Sequence, residues 1–138
     1  MTPKEQLNLL AIFHYVVGGL HALFGSFGLI HFTIGLCMLF GGFGSMSQTH
    51  PGSEPPAFIG LFFAIFGAVF VLFGWTLGAL TILSGRKIAQ RRARKFSVVM
   101  GAINCAMFPF GTTLGVFTLI LLNRREADLE YGALPASA

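Results

Sequence analysis

The chain has 138 residues, 54% of them hydrophobic and 10% charged, and a mean hydropathy of +0.76. Ordinary soluble domains carry roughly 25% charged residues, so the composition argues against water as the sole solvent and for a single membrane domain, 1–138. The formal charge of +4 does not point to nucleic acid, because six of the nine basic residues form one short run between apolar segments: Arg86, Lys87, Arg91, Arg92, Arg94 and Lys95.

The N-terminus, Met-Thr-Pro-Lys-Glu-Gln, lacks the basic flank of a signal peptide, so the apolar segments are expected to remain in the mature protein. From Leu7 to Gly85 the one formally charged side chain is Glu54, and between Lys95 and Arg124 there is none. A helix rises about 1.5 Å per residue and the hydrocarbon is about 30 Å thick. The first uncharged block therefore divides into two short crossings, about 7–24 and 29–43, with a turn expected at Gly25-Ser26-Phe27-Gly28. Sixteen phenylalanines and eighteen glycines suit lipid-facing bulk combined with close helix approach.

The first two segments hold the one constellation that invites chemistry. His14, Gly18, His21 and Gly25 share a helix face, as do His31, Gly35, Met38 and Gly42. A hairpin centred on Ser26 would bring His21 level with His31, and His14 near Cys37 and Met38. Imidazoles inside apolar helices are costly unless partnered, and three readings stay open. The histidines hydrogen-bond internally; they hold a metal or haem, with Cys37 and Met38 as soft donors; or they line a proton or ion path. The first is preferred, with no cofactor expected.

Residues 45–56, Ser-Met-Ser-Gln-Thr-His-Pro-Gly-Ser-Glu-Pro-Pro, read as a loop between two hairpins. The third segment, about 57–84, sets Gly60, Ala64, Gly67, Val71, Gly74 and Gly78 along one stripe, the small-residue face that helix packing in lipid requires. Gly74 with Gly78 makes a GxxxG pair, and Gly111 with Gly115 repeats the spacing in the fourth segment. Packing within the chain is preferred over self-association for both.

Residues 85–95 form the basic loop, a cytoplasmic topology anchor with a secondary capacity for anionic lipid. The fourth segment, about 96–122, should span with a kink at Pro109, where Asn104, Cys105, Thr112 and Thr113 can satisfy freed backbone groups. The tail from Asn123 is expected to fray or lie at the interface. If all four segments cross, both termini lie opposite the basic loop, and Arg124 and Arg125 stand outside, offset by Glu126, Asp128 and Glu130. The two cysteines, Cys37 and Cys105, have no CxxC pairing, and no span contains an acidic residue of the kind pumps and antiporters use.

Three runs carry a resemblance: Ile12-Phe-His-Tyr-Val-Val-Gly-Gly-Leu-His-Ala-Leu-Phe, Leu29-Ile-His, and Phe108-Pro-Phe-Gly-Thr-Thr-Leu-Gly-Val-Phe-Thr-Leu-Ile-Leu-Leu. Over most of its length the chain resembles a family of small bacterial multispan inner-membrane proteins of uncharacterised function. Members of that family often carry a proline just before Leu-Ile-His, where this chain has Gly28. The resemblance implies the bacterial inner membrane and no substrate. The sequence as a whole predicts an all-α integral membrane four-helix bundle made of two helical hairpins. Its preferred role is non-enzymatic, as a self-associating module or accessory subunit of a membrane assembly, with the lipid bilayer and anionic lipids as partners. An oligomeric channel and a histidine-based redox subunit are the alternatives.

Overall fold

The computed structural model describes residues 2–40 and 57–132. All its regular structure is α-helical: α1 Pro3–Ser26, α2 Gly28–Leu39, α3 Ala57–Ala89, α4 Arg94–Cys105, α5 Phe110–Leu122 and α6 Arg125–Glu130. The expected loop at 45–56 lies outside the described residues. Two stretches, Pro3–Leu39 and Ala57–Ala89, are long and apolar enough to cross a membrane. The chain divides into two compact units, one made of Met1–Leu20 with Leu77–Ala138 and the other of His21–Thr76.

In the second unit the expected turn at Gly25–Gly28 does not form. Phe27 keeps helical backbone angles (φ −61, ψ −25), and its amide bonds to the Phe24 carbonyl while Ile30 bonds back to Phe27. The helix tightens for one residue and resumes. The glycines serve close approach instead. A Cβ on Gly25 would lie 2.9 Å from the Gly74 Cα, one on Gly28 2.7 Å from the Gly67 carbonyl oxygen, and one on Gly35 would strike the Ala64 backbone. Partner numbers fall along α3 as the chain advances through α1 and α2, so the two runs are antiparallel with no reversal between them. Ser26 reinforces the junction by donating to the Ala22 carbonyl at 2.9 Å and accepting from Trp75 Nε1 at 3.1 Å.

The first unit corrects the fourth segment. One kinked span was expected, yet the chain folds back at 106–109 into two helices of 12 and 13 residues, about 18 to 20 Å each, well short of the hydrocarbon thickness. Pro109 has no amide to continue α4 and takes the position before α5. Gly101 meets Thr118 and the Gly115 carbonyl, and Gly115 meets Cys105 and Gly101, an antiparallel pair that a Cβ on either glycine would separate. Thr112 Oγ1 donates to the Cys105 carbonyl at 2.9 Å, across the turn. The basic segment is shorter than expected, since α3 runs to Ala89 and α4 starts at Arg94. The tail is not wholly frayed, because it contains α6. Leu7, Leu10, Ala11, Val17, Ile88, Leu114 and Leu122 form the apolar core of this unit.

Gly67 tests the packing of the second unit. Its Cβ would strike the Phe32 amide nitrogen and lie 2.6 Å from the Gly28 carbonyl oxygen, whereas Phe70 is exposed. Gly67→Leu is expected to lose about 1 to 3 kcal/mol by overpacking and Phe70→Leu almost nothing. Thermal unfolding in mild detergent measures both, and equal midpoints would contradict this contact.

Candidate functional site

Each helix of the first unit turns small or polar residues inward. His14 on α1, Thr81 and Ser84 on α3, Ser97 and Asn104 on α4, and Thr118 on α5 are all 0% exposed. Their spacings set them on one face each: three apart on α3, seven apart on α4 with Gly101 between, and in line with Gly111 and Gly115 on α5. Gly85 makes room for His14, whose Cβ would lie 2.7 Å from a Cβ built at that glycine.

The hydrogen bonds fix much of the chemistry. His14 Nδ1 lies 2.9 Å from the Leu10 carbonyl oxygen, which can only accept, so Nδ1 carries a proton and Nε2 of the neutral ring is an acceptor. Nε2 faces Thr118 Oγ1 at 3.5 Å. Thr118 has one hydroxyl hydrogen and donates it to the Leu114 carbonyl at 2.7 Å, leaving His14 Nε2 loosely held. Asn104 Nδ2 donates to the Met100 carbonyl at 2.9 Å and to Thr81 Oγ1 at 3.3 Å, while Thr81 Oγ1 donates to Asn104 Oδ1 at 3.4 Å. Ser97 reaches the Ser84 carbonyl at 3.5 Å. The Ser84 hydroxyl is buried and finds no partner among the described residues.

The other predicted ligand positions lie in the second unit. His21 and His31 were expected to come level across a hairpin; with no reversal, the ten-position offset between them corresponds to about 15 Å of helix rise, and they do not pair. His31 stacks on Phe63 and meets the edge of Phe66, at centroid distances of 6.0 and 5.8 Å. The buried Nδ1 of His21 has no partner among the described residues. Cys37 is exposed, and Met38 packs its Cβ against Gly60. Among the described residues no three His, Cys, Asp or Glu side chains gather as a metal set.

All nine Lys and Arg residues belong to the first unit, and hydrogen bonds draw their segments to one end of it. Arg91 Nη1 donates to the Ile88 carbonyl at 2.8 Å, and Nη2 donates at 3.0 Å to both the Lys4 carbonyl and Asn8 Oδ1. Its Nε lies 3.6 Å from Glu130. Arg94 bonds the Leu122 carbonyl, with its Nε at 2.8 Å, and pairs with Asp128. The start of α1, the α3–α4 connection and the end of α5 therefore meet, which overturns the expectation that the termini lie opposite the basic loop. Of the predicted lipid or anchor residues, Arg91 and Arg94 are clamps, Lys87 sits over the Phe96 ring at 5.6 Å, and Arg86, Arg92 and Lys95 are exposed. Tyr131 packs against this core, and burial holds its phenol above the usual range, against the opposing pull of Arg91 and Arg94.

Beside the polar core, α1 and α5 enclose a half-open groove of about 630 Å³. Phe13, Val16, Phe110 and Phe117 are among its walls, with Gln6 and Arg124 at one end. A smaller recess of about 180 Å³ shares Gln6 and Arg124 and adds Glu126.

No family model, curated protein or solved structure matches the chain. The sequence reading missed Thr81, Ser84, Ser97 and Thr118 as site residues. Their signal was polar residues at helical spacing in phase with glycine, which resembles ordinary small-residue packing until the facing helices are known.

Two outcomes follow from these contacts. Arg91 holds φ at 53°, while the Arg92 amide reaches back to Lys87 and the Arg91 amide to Ile88, a helix end that normally takes glycine. Arg91→Ala loses the clamp and keeps the backbone strain, whereas Arg91→Gly loses the clamp alone. The alanine variant should be less stable by about 1 kcal/mol in detergent unfolding; the reverse order would contradict the role of strain. For the buried pair, a Thr81→Val and Asn104→Leu double-mutant cycle should give a coupling of about 0.6 to 1.7 kcal/mol, and additive losses would show that the pair contributes nothing.

Proposed function

We propose that this chain is a non-enzymatic integral membrane protein, a small packing module that self-associates or serves as an accessory subunit of a membrane assembly. In this reading α1 with α2 makes one crossing and α3 the return. The α4–α5 hairpin enters the bilayer and leaves on the same side.

The observation that carries the reading is an inverted pattern of burial. Six polar side chains are wholly buried while Phe58, Phe62, Val69 and Leu72 are each more than half exposed. Only 17% and 22% of the most apolar windows of the two long stretches are buried. A core helix of a soluble protein would bury its apolar face; here apolar bulk points outward, which an apolar solvent rewards and water penalises. The gathering of all nine cationic residues at one end of their unit supports a cytoplasmic position for that end. It also removes the difficulty of Arg124 and Arg125 standing outside. Inner-membrane residence is the expectation from the family resemblance.

Single cysteines at Arg92 and Gly132, in a background with Cys37→Ser and Cys105→Ala, test the topology. Both are expected to react only with reagents that reach the cytoplasm of intact bacterial cells, with the protein retained in the membrane fraction after alkaline extraction. Labelling of position 132 from outside would restore four crossings and overturn the re-entrant hairpin.

A further inference from the structure

We propose that the groove between α1 and α5 binds one phospholipid whose headgroup carries a phosphate and a primary ammonium. An acyl chain would lie in the groove, the phosphate against Arg124 and the ammonium against Glu126. The proposal rests on the membrane reading above and adds a ligand class and a site to it.

The groove has the size of an organic-ligand site, about 630 Å³ against a usual range of roughly 300 to 1,000 Å³. On α1 its lining runs from Gln6 to Leu20, about 21 Å of helix rise. That is somewhat more than half of a hydrocarbon layer about 30 Å thick, a length suited to a chain from one leaflet. Polarity is graded along it. Thr113, deeper in the groove, already donates its hydroxyl to the Pro109 carbonyl at 3.1 Å, so the apolar part offers no free donor. Charge enters at the end where the α5 terminus meets the start of α1.

At that end the structure separates Arg124 from the neighbouring arginines. Arg91 and Arg94 are engaged with Glu130, Asp128 and backbone carbonyls. Among the described residues the exposed Arg124 side chain makes no hydrogen bond or ion pair, and it lines both the groove and the smaller recess. That recess also contains Glu126. A purely anionic headgroup would satisfy the guanidinium and be repelled by the carboxylate. A headgroup with a quaternary ammonium offers the carboxylate no N–H donor. A phosphate joined to a primary ammonium complements both charges, and its ammonium donates hydrogen bonds. Charge complementarity on a continuous apolar groove thus selects one headgroup chemistry, different from the anionic class that the sequence suggests.

Native mass spectrometry of the full chain, presented with equal amounts of phosphatidylethanolamine, phosphatidylcholine and phosphatidylglycerol of identical chains, reads the proposal. One phosphatidylethanolamine per chain should be retained, favoured about five-fold over each competitor, as one charged contact near a membrane surface allows. Glu126→Gln should abolish that preference, Arg124→Gln should lower retention of all three lipids, and Arg124→Lys should largely restore it. Val16→Trp, at an exposed groove position, should expel the lipid whatever its headgroup, with helicity and thermal midpoint measured to verify folding. Equal retention of the three headgroups, a preference that survives Glu126→Gln, a bound free fatty acid, or a dimer dissociated by Val16→Trp would each overturn the assignment. A chain that stays membrane-embedded but retains no lipid overturns the groove assignment alone; a chain soluble without detergent overturns the membrane reading as well.

Discussion

Backbone-to-backbone approach at glycine is the constraint on which the rest of this structure depends. Gly25 lies against Gly74, Gly28 against Gly67 and Gly35 against Ala64; in the other unit Gly18 lies under Gly78 and Gly101 against Gly115. Lipid tails are as apolar as leucine, so no hydrophobic force draws such helices together in a bilayer, and close van der Waals contact must supply the attraction. A methyl group at most of these sites would fall inside 3 Å of backbone or a neighbouring side chain. The approach is therefore a condition of the fold.

Close approach also makes the polar core tolerable. His14, Thr81, Ser84, Ser97, Asn104 and Thr118 have no water to turn to, and each unsatisfied group in such surroundings is costly. Three of the six find partners on their own helix four residues back, as His14 does at Leu10, Asn104 at Met100 and Thr118 at Leu114. Others depend on a facing helix, as Thr81 and Asn104 do. Local bonds set the tautomer of His14 and the rotamer of Thr118, and helix packing then brings the two within reach of each other. The loosely held Nε2 of His14 and the unpartnered hydroxyl of Ser84 are the least satisfied points of this core.

Charge organises the opposite extreme of the same unit. Arginine suits the clamping role because its planar fork serves several acceptors at once, and Arg91 uses it to join the end of α3 to the start of α1. Arg94 performs the same service between α4, the last carbonyl of α5 and Asp128 on α6. With these two cations engaged, Arg124 remains exposed at the mouth of the apolar groove.

The sequence by itself determined the helical class, stretches long and apolar enough to cross a membrane, the division near the basic run and the small-residue stripe of α3, because hydropathy and helical periodicity are local properties of a chain. It did not determine where the chain reverses. Gly25-Ser26-Phe27-Gly28 has the composition of a turn, yet glycine permits both reversal and close approach, and only the presence of α3 opposite these residues decided for approach. Pro109 signals a break without fixing its angle, so a kinked helix and a fold-back into two short helices remained equally compatible with the same letters. From the straight passage through Gly25–Gly28 and the reversal at 106–109 follow the separation of His21 from His31, the burial of His14 beside Thr118, and the meeting of both terminal segments at the basic end. These are contacts between residues far apart in sequence, such as Arg91 with Lys4, and which side chains meet is set by how helices pack and not by the order in which they are written.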